Sequence, residues 1–366
     1  EMPAYIVEDV EEHVLRLIFT RVNTGGVEMR ESEIFEALYG DEGDKPIQSA
    51  VARLCELGFG QLDEDLFLRC CRSLSDVPFD RTGGVAGKVP PDTVRRTEAA
   101  LRRAIVAFKE AAGIPHWQLI PYRMPLIFLT AFFDRFPDED VRLDRCLAHW
   151  IWRGALTGDH ENSSNARIER LVKELKQAQS AEGMAEGLLA RFDEHAAKAN
   201  LRNHPLVEID REISLRRASG KAFVLGLLAA EPRRPSRLRQ LTFDEGDFDT
   251  RAEAENDERR AGAPAPLTLS KVCFSLTDQA SLGHAIAIKL PGVRREDVLA
   301  ADAETLRSFV LDEQAVRQLA AGDLGGFAAR RRHILTEYLE RFVVDRWGDR
   351  VDTRPSLRSI LEDAAA

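Results

Sequence analysis

The chain has little of what usually assigns a protein to a chemistry. It has five cysteines, Cys55, Cys70, Cys71, Cys146 and Cys273. Their number is odd, two are adjacent and none forms a CxxC pair, which excludes a zinc-ligand spacing or a disulfide framework and implies a reducing compartment. No apolar run approaches the ~18 residues needed to span a bilayer. The longest, Met124 to Phe133, is bracketed by Arg123 and Asp134, so the expectation is a cytoplasmic protein with no membrane contact. An excess of basic residues is also missing: 51 Lys and Arg stand against 61 Asp and Glu, a net charge of −10. That balance excludes a protein that coats nucleic acid non-specifically. Contact with DNA would be weak, resting on local basic patches or on a partner subunit. Strand-like alternation is nearly absent. So are the HExxH metal helix, the GxGxxG turn and any nucleophile triad, and no metal or cofactor is expected in this chain. The stretch RTGGVAGKVPPD, Arg81 to Asp92, contains GGVAGK but lacks the GxxxxGK[ST] spacing of a phosphate loop, and it reads as a mobile inter-helix loop.

Helical periodicity is plentiful, and with 44% hydrophobic and 31% charged residues a core is easily built. Val10, Val14, Leu17 and Ile18 form one face of a helix over 7–22, which Asn23-Thr24-Gly25-Gly26 breaks. Further helices are predicted over 29–39, 47–57 and 63–74. Another runs from Pro91-Asp92 to Gly113, with Val94, Leu101, Ile105 and Phe108 on one face. Pro125 to Phe136 is apolar all round, the pattern of a core helix. Helices over 141–155 and 166–178 follow, and a last long one over 327–347 carries Phe327, Ile334, Leu335, Tyr338 and Phe342 on one face. Between them, 231–266 is first basic and Pro-broken, then acidic and almost without apolar residues, the composition of a linker. The expected architecture is mainly α: a multi-helical body over 1–230, a mobile linker over 231–266 and a smaller C-terminal helical domain over 267–366.

Three stretches carry a family resemblance. IFTRVNTGGVEMRESEIFEAL, Ile18 to Leu38, places Phe19, Arg21, Asn23, Gly25, Gly26, Ser32 and Glu33 where a helix ends, turns on glycine and restarts. IPYRMPLIFLTAFF, Ile120 to Phe133, and WIWRGALTGDHENSSNARIERLVKEL, Trp150 to Leu175, follow in order. Together they resemble the bacterial family that includes the GmrSD-type restriction endonucleases, closely over about 2–228 and loosely beyond. The resemblance implies a role in restriction and anti-phage defence. An intact relative would use a nucleotide and Mg²⁺, with a ParB/sulfiredoxin-like domain that hydrolyses nucleotide and a C-terminal HNH nuclease. It implies that Arg21, Asn23, Thr24, Gly25 and Gly26 border a nucleotide or anion pocket, and that His160 lies on its rim. The chemistry of the turn agrees. Two glycines allow positive φ and present free N–H groups, and an arginine fork and a helix N-terminus favour an anion. The same Asn-x-Gly-Gly also ends ordinary helices.

The sequence departs from the family in two places. The DGQQR motif that precedes this region in relatives does not occur, so the expectation is a fragment, or one of two polypeptides, without the principal catalytic residues. The nuclease segment is degenerate as well. TFDEGDF, Thr242 to Phe248, stands where a histidine base belongs, and LTDQASLGHAIAIKLPG, Leu276 to Gly292, has no Asn. His284 in that run reads as packed, and His333 as part of a basic helix. The remaining candidates are two arginine clusters for DNA phosphate, Arg233, Arg234 and Arg237 (with Arg239) in the linker and Arg330, Arg331 and Arg332 on the last helix. For the second, a solvated helix face is the competing reading. Around His160, the polar run also suits an N-cap for the helix that follows. His149, Trp150 and Trp152 read as core rather than as a stacking platform. The reading is thus a scaffold with part of a nucleotide- or DNA-sensing pocket. The alternative is a non-catalytic helical adaptor that binds a partner protein or DNA.

Overall fold

The computed structural model describes residues 30–40, 45–75, 77–79, 86–138, 140–161, 164–196, 218–230 and 298–348. Of these, 75% are helical and none lies in a strand, so the fold is mainly α. The helix expected over 7–22, the linker and residues 267–297 lie outside the described residues. No described helix is long and apolar enough to cross a membrane.

The first four helices are α1 (Glu31–Tyr39), α2 (Pro46–Cys55), α3 (Glu64–Leu74) and α4 (Thr93–Val106). Helices α3 and α4 pack on α5 (Met124–Arg135), which α7 (Asn165–Gln177) covers from another side, and in turn α1 packs on α3 and α2 on α3 and α4. Every residue of α5 from Met124 to Phe133 is buried. A helix that is apolar all round has no solvent face to offer, so it ends surrounded. Its one hydroxyl in that stretch, Thr130 Oγ1, donates to the Leu126 carbonyl at 2.7 Å, which satisfies it without a partner helix.

The long helix expected from Asp92 to Gly113 is α only as far as Val106 and continues as a π turn over Ala107–Ala111. Ala112 N donates to the Ala107 carbonyl at 3.0 Å, and the Ala112 carbonyl, in the last turn where no helical donor follows, accepts from Trp152 Nε1 at 2.8 Å. Gly113, at φ +66°, then ends the helix. The loop of Arg81 to Asp92 is docked where it is described. Ala86 and Val89 are buried, Ala86 N donates to Glu31 at 2.8 Å, and Tyr39 Oη donates to the Gly87 carbonyl at 3.1 Å.

Helix α6 (Val141–Thr157) is capped by Asp140, whose carboxylate accepts from Arg142 N at 2.7 Å. It packs on α8 (Ala181–Ala196) and on the π turn. After α9 (Ala218–Leu228), the described chain resumes with α10 (Ala303–Ser308), α11 (Glu313–Ala320) and α12 (Leu324–Trp347). Helix α12 packs on α11, α6 and α9, and its buried residues belong to the same apolar core as those of α1–α9. Phe342 meets Trp152 edge-on at 5.4 Å between ring centroids. Close approach to α9 depends on Gly226, where a Cβ would come within 2.8 Å of Leu339.

Candidate functional site

Of the residues singled out for the glycine turn, Arg21, Asn23, Thr24, Gly25 and Gly26 lie outside the described residues, as do Arg233, Arg234, Arg237 and His284. The second half of that motif is described. Ser32 is buried on α1, where its N–H donates to Asp65 at 3.1 Å, and Glu33 accepts from Arg30 N at 2.9 Å. Two amides of the first turn of α1 are thus occupied by the protein's own carboxylates. An anion at this turn would depend on residues before Arg30.

The other two resemblance stretches meet. Phe128 on α5 lies 5.1 Å from Trp150 on α6, and Trp150 lies 4.7 Å from His160 (ring centroids). His160 is not on a rim. It is 1% exposed and also faces Phe192 of α8 at 6.3 Å. Gly158, at φ +73°, turns the chain back after α6, and His160 N donates to the Gly154 carbonyl at 3.2 Å. A Cβ on Gly154 would collide with the imidazole. Burial, with Arg167 nearby, pushes His160 down to about 3, so it is neutral. The polar letters around it suggested a rim because they flank a tight turn. Asp159 faces outward to pair with Arg167, Ser164 caps α7 by accepting from Arg167 N at 3.3 Å, and His160 points in. Trp150 and Trp152 are both buried, as core residues.

The three arginines of α12 do not form one phosphate face. Arg330 pairs with Asp312 at 2.6 Å, and Arg332 is exposed. Arg331, offered as a DNA contact, is 1% exposed, and its Nη1 donates to the carbonyl of Val310. Val310 is a β-branched residue held at φ +53°, a backbone conformation that needs such support. Burial lowers Arg331 to about 9. Consecutive helical residues point about 100° apart, so three adjacent arginines cannot share a face. His333 is exposed beside Glu337 at 3.3 Å. Cys70 and Cys71 are buried, and burial pushes both thiols up to about 12, which makes them inert.

A further cluster, with no local signature, draws its residues from α3, from the N-terminus of α5 and from α9. Arg69 on α3 donates through Nη2 to Asn165 Oδ1, in the first turn of α7, at 3.0 Å. Lys221 on α9 donates through Nζ to the Ile120 carbonyl at 2.9 Å. Arg123, the N-cap of α5, lies over the face of Trp117 with its guanidinium 5.8 Å from the ring centroid. The positive charge of Arg123 bears on both others, adding to burial in lowering Arg69 and in bringing Lys221 down to about 8. None of the three has a carboxylate in ion-pair contact among the described residues. Each sits in an apolar stretch (LFLRCC, IPYRMPL, SGKAFVL). That isolation was a signal, but their convergence is long-range and no local spacing encodes it. No family model, no curated protein and no solved structure matches this chain.

Proposed function

We propose that this chain is the helical body of a GmrSD-like defence protein, supplying the scaffold and one wall of a nucleotide- or DNA-sensing pocket. What supports this reading is that the two downstream resemblance stretches fold as one unit, Phe128 against Trp150 and Trp150 against His160. Two separate segments that carry one signature have a physical reason to occur together when they pack on each other, as Phe128 does on Trp150. In this reading α5 and α6 hold the pocket wall rigid, and Arg21, Asn23, Thr24, Gly25 and Gly26 line its anion-facing edge.

Phage plating on cells that carry the gene in its native locus tests it. Protection is expected with the wild-type gene, and Arg21→Ala or Asn23→Ala should abolish it at unchanged protein level. Equal plating with and without the gene, on phages with modified and with unmodified DNA, would sink the defence role. Protection that survives both substitutions would move the function to an adaptor surface elsewhere.

A further inference from the structure

We propose that Arg69, Arg123 and Lys221 form a binding site for the phosphate group of a nucleotide or of a nucleic-acid strand. The proposal does not rest on the defence role, and it uses none of the residues of the glycine turn.

The first argument is electrostatic. In a chain with a net charge of −10, carboxylates are abundant, and other arginines find them: Arg53 with Glu98, Arg96 with Asp134, Arg103 with Asp144 and Arg330 with Asp312. The cluster brings three cations together from three elements and pairs none of them with a carboxylate among the described residues. Asp65, one turn before Arg69 on α3, accepts from Ser32 N instead. Glu161 bears on Tyr122, the neighbour of Arg123, and makes no ion pair with the three. Like charges held together without a counter-ion are unfavourable in a partly buried setting. A bound anion removes that cost.

The second argument is geometric. Each cation is held by a neutral group, and no further partner takes its other donors among the described residues. Asn165 takes one N–H of Arg69, the Ile120 carbonyl takes one of Lys221, and the face of Trp117 supports Arg123 without consuming a donor. Arg69 and Lys221 are half-buried and Arg123 is exposed, so an anion approaching from solvent would meet Arg123 first. Two guanidinium forks and an ammonium offer more donors than the two oxygens of a carboxylate can accept. They match the several oxygens and higher charge of a phosphate. The positive end of α5, behind Arg123, has the same sign.

Calorimetric titration of the full chain with pyrophosphate at constant ionic strength tests the site. Saturable binding is expected. Arg123→Gln, at an exposed position, should weaken it about tenfold at an unchanged urea midpoint, as loss of one charge-assisted contact would. Arg96→Gln, which removes another exposed arginine outside the cluster, should leave it unchanged. Lys221→Met gives a second readout. A neighbouring anion restores the ammonium, so wild-type affinity should fall from about pH 7 to about pH 9, with a flatter profile in the variant. Displacement of pyrophosphate by ATP assigns the site to a free nucleotide, and displacement by a short DNA duplex assigns it to the backbone. The proposal is overturned if pyrophosphate does not bind saturably, if Arg123→Gln binds it as well as wild type, or if neither ATP nor duplex displaces it.

Discussion

Helices α5 and α12 are both covered by their neighbours, but by different means. Around α5 from Met124 to Phe133 the contacts are mainly apolar: Phe128, Phe132 and Phe133 meet one another and Trp150, and Thr130 Oγ1 donates to the Leu126 carbonyl within the helix. Around α12 the seam is laced with arginine. Arg153 of α6 is 4% exposed and reaches the carbonyls that end α12, Nε to Trp347 at 3.0 Å and Nη2 to Gly348 at 3.1 Å. Arg346 lies over Trp152 and Phe342, and Arg331 ties α12 to Val310. Buried cations of this kind are tethered to backbone carbonyls and aromatic faces. The comparison teaches that the centre is specified by volume, whereas the attachment of α12 is specified by a few donors at a helix terminus, where carbonyls would otherwise lack partners.

The largest effect should come from the volume-specified side. Phe128→Ala removes a fully buried ring between α5 and α6 and should cost about 3–5 kcal/mol, measured as a lowered urea midpoint at unchanged slope. A loss below about 1 kcal/mol would mean that α5 collapses around the gap and is not jigsaw-packed.

Arg153→Met should cost less in total but act locally. Hydrogen bonds from a charged donor are worth about 1.5–3 kcal/mol, and methionine keeps much of the stem while removing the donors. Hydrogen exchange read by mass spectrometry should show peptides of 324–347 losing protection while those of 124–135 keep theirs. If both lose protection together, the seam is as cooperative as the centre and the contrast between the two helices fails.

This contrast also marks what was legible in the sequence. Helix α5 was, because an apolar run flanked by Arg123 and Asp134 has only one stable place. Helix α12 and its apolar face were legible too, from 3.6-residue periodicity. The polar seam was not. Arg153, Arg331 and Arg346 are ordinary helical arginines in sequence; Arg153 and Arg331 reach carbonyls, and Arg346 lies over Trp152, all of them on other parts of the chain. The π turn at Ala107–Ala111 was invisible too, since one extra residue in a turn leaves no local pattern, and Trp152, which donates to the Ala112 carbonyl that follows it, lies forty positions on. Of the candidate site, His160 was legible as a residue and misplaced as an environment: sequence shows the polar neighbours of a turn, and Gly158 decides which of them points inward. The cluster of Arg69, Arg123 and Lys221 depends on three separate elements meeting, which no local pattern records.

The smallest effect concerns that inward-pointing histidine, and it shows as a dependence on pH. His160 in the folded protein is pushed down to about 3 by burial, with Arg167 adding to it, while an unfolded histidine titrates near about 6.5. Above about pH 6.5 both states are neutral and the residue contributes no pH dependence. As the pH falls below about 6.5 the unfolded chain takes up a proton that the folded chain refuses, so folding weakens by about 1.4 kcal/mol per pH unit until the pH approaches the folded value. Other groups titrate in the same range, His149 among them, also lowered by burial and by Arg153. The measurement is therefore a difference: urea midpoints of wild type and His160→Gln at about pH 7 and about pH 5.5. Glutamine, which lacks the titrating ring, should be less stable than wild type at the higher pH, because it leaves the space between Trp150 and Phe192 poorly filled. That deficit should shrink as the pH falls, by roughly the histidine's slope. A deficit that stays constant across the range would mean that His160 is protonated in the folded protein. The imidazole would then reach water or a carboxylate, and the buried corner between α6 and α8 would have to be redrawn as an open one.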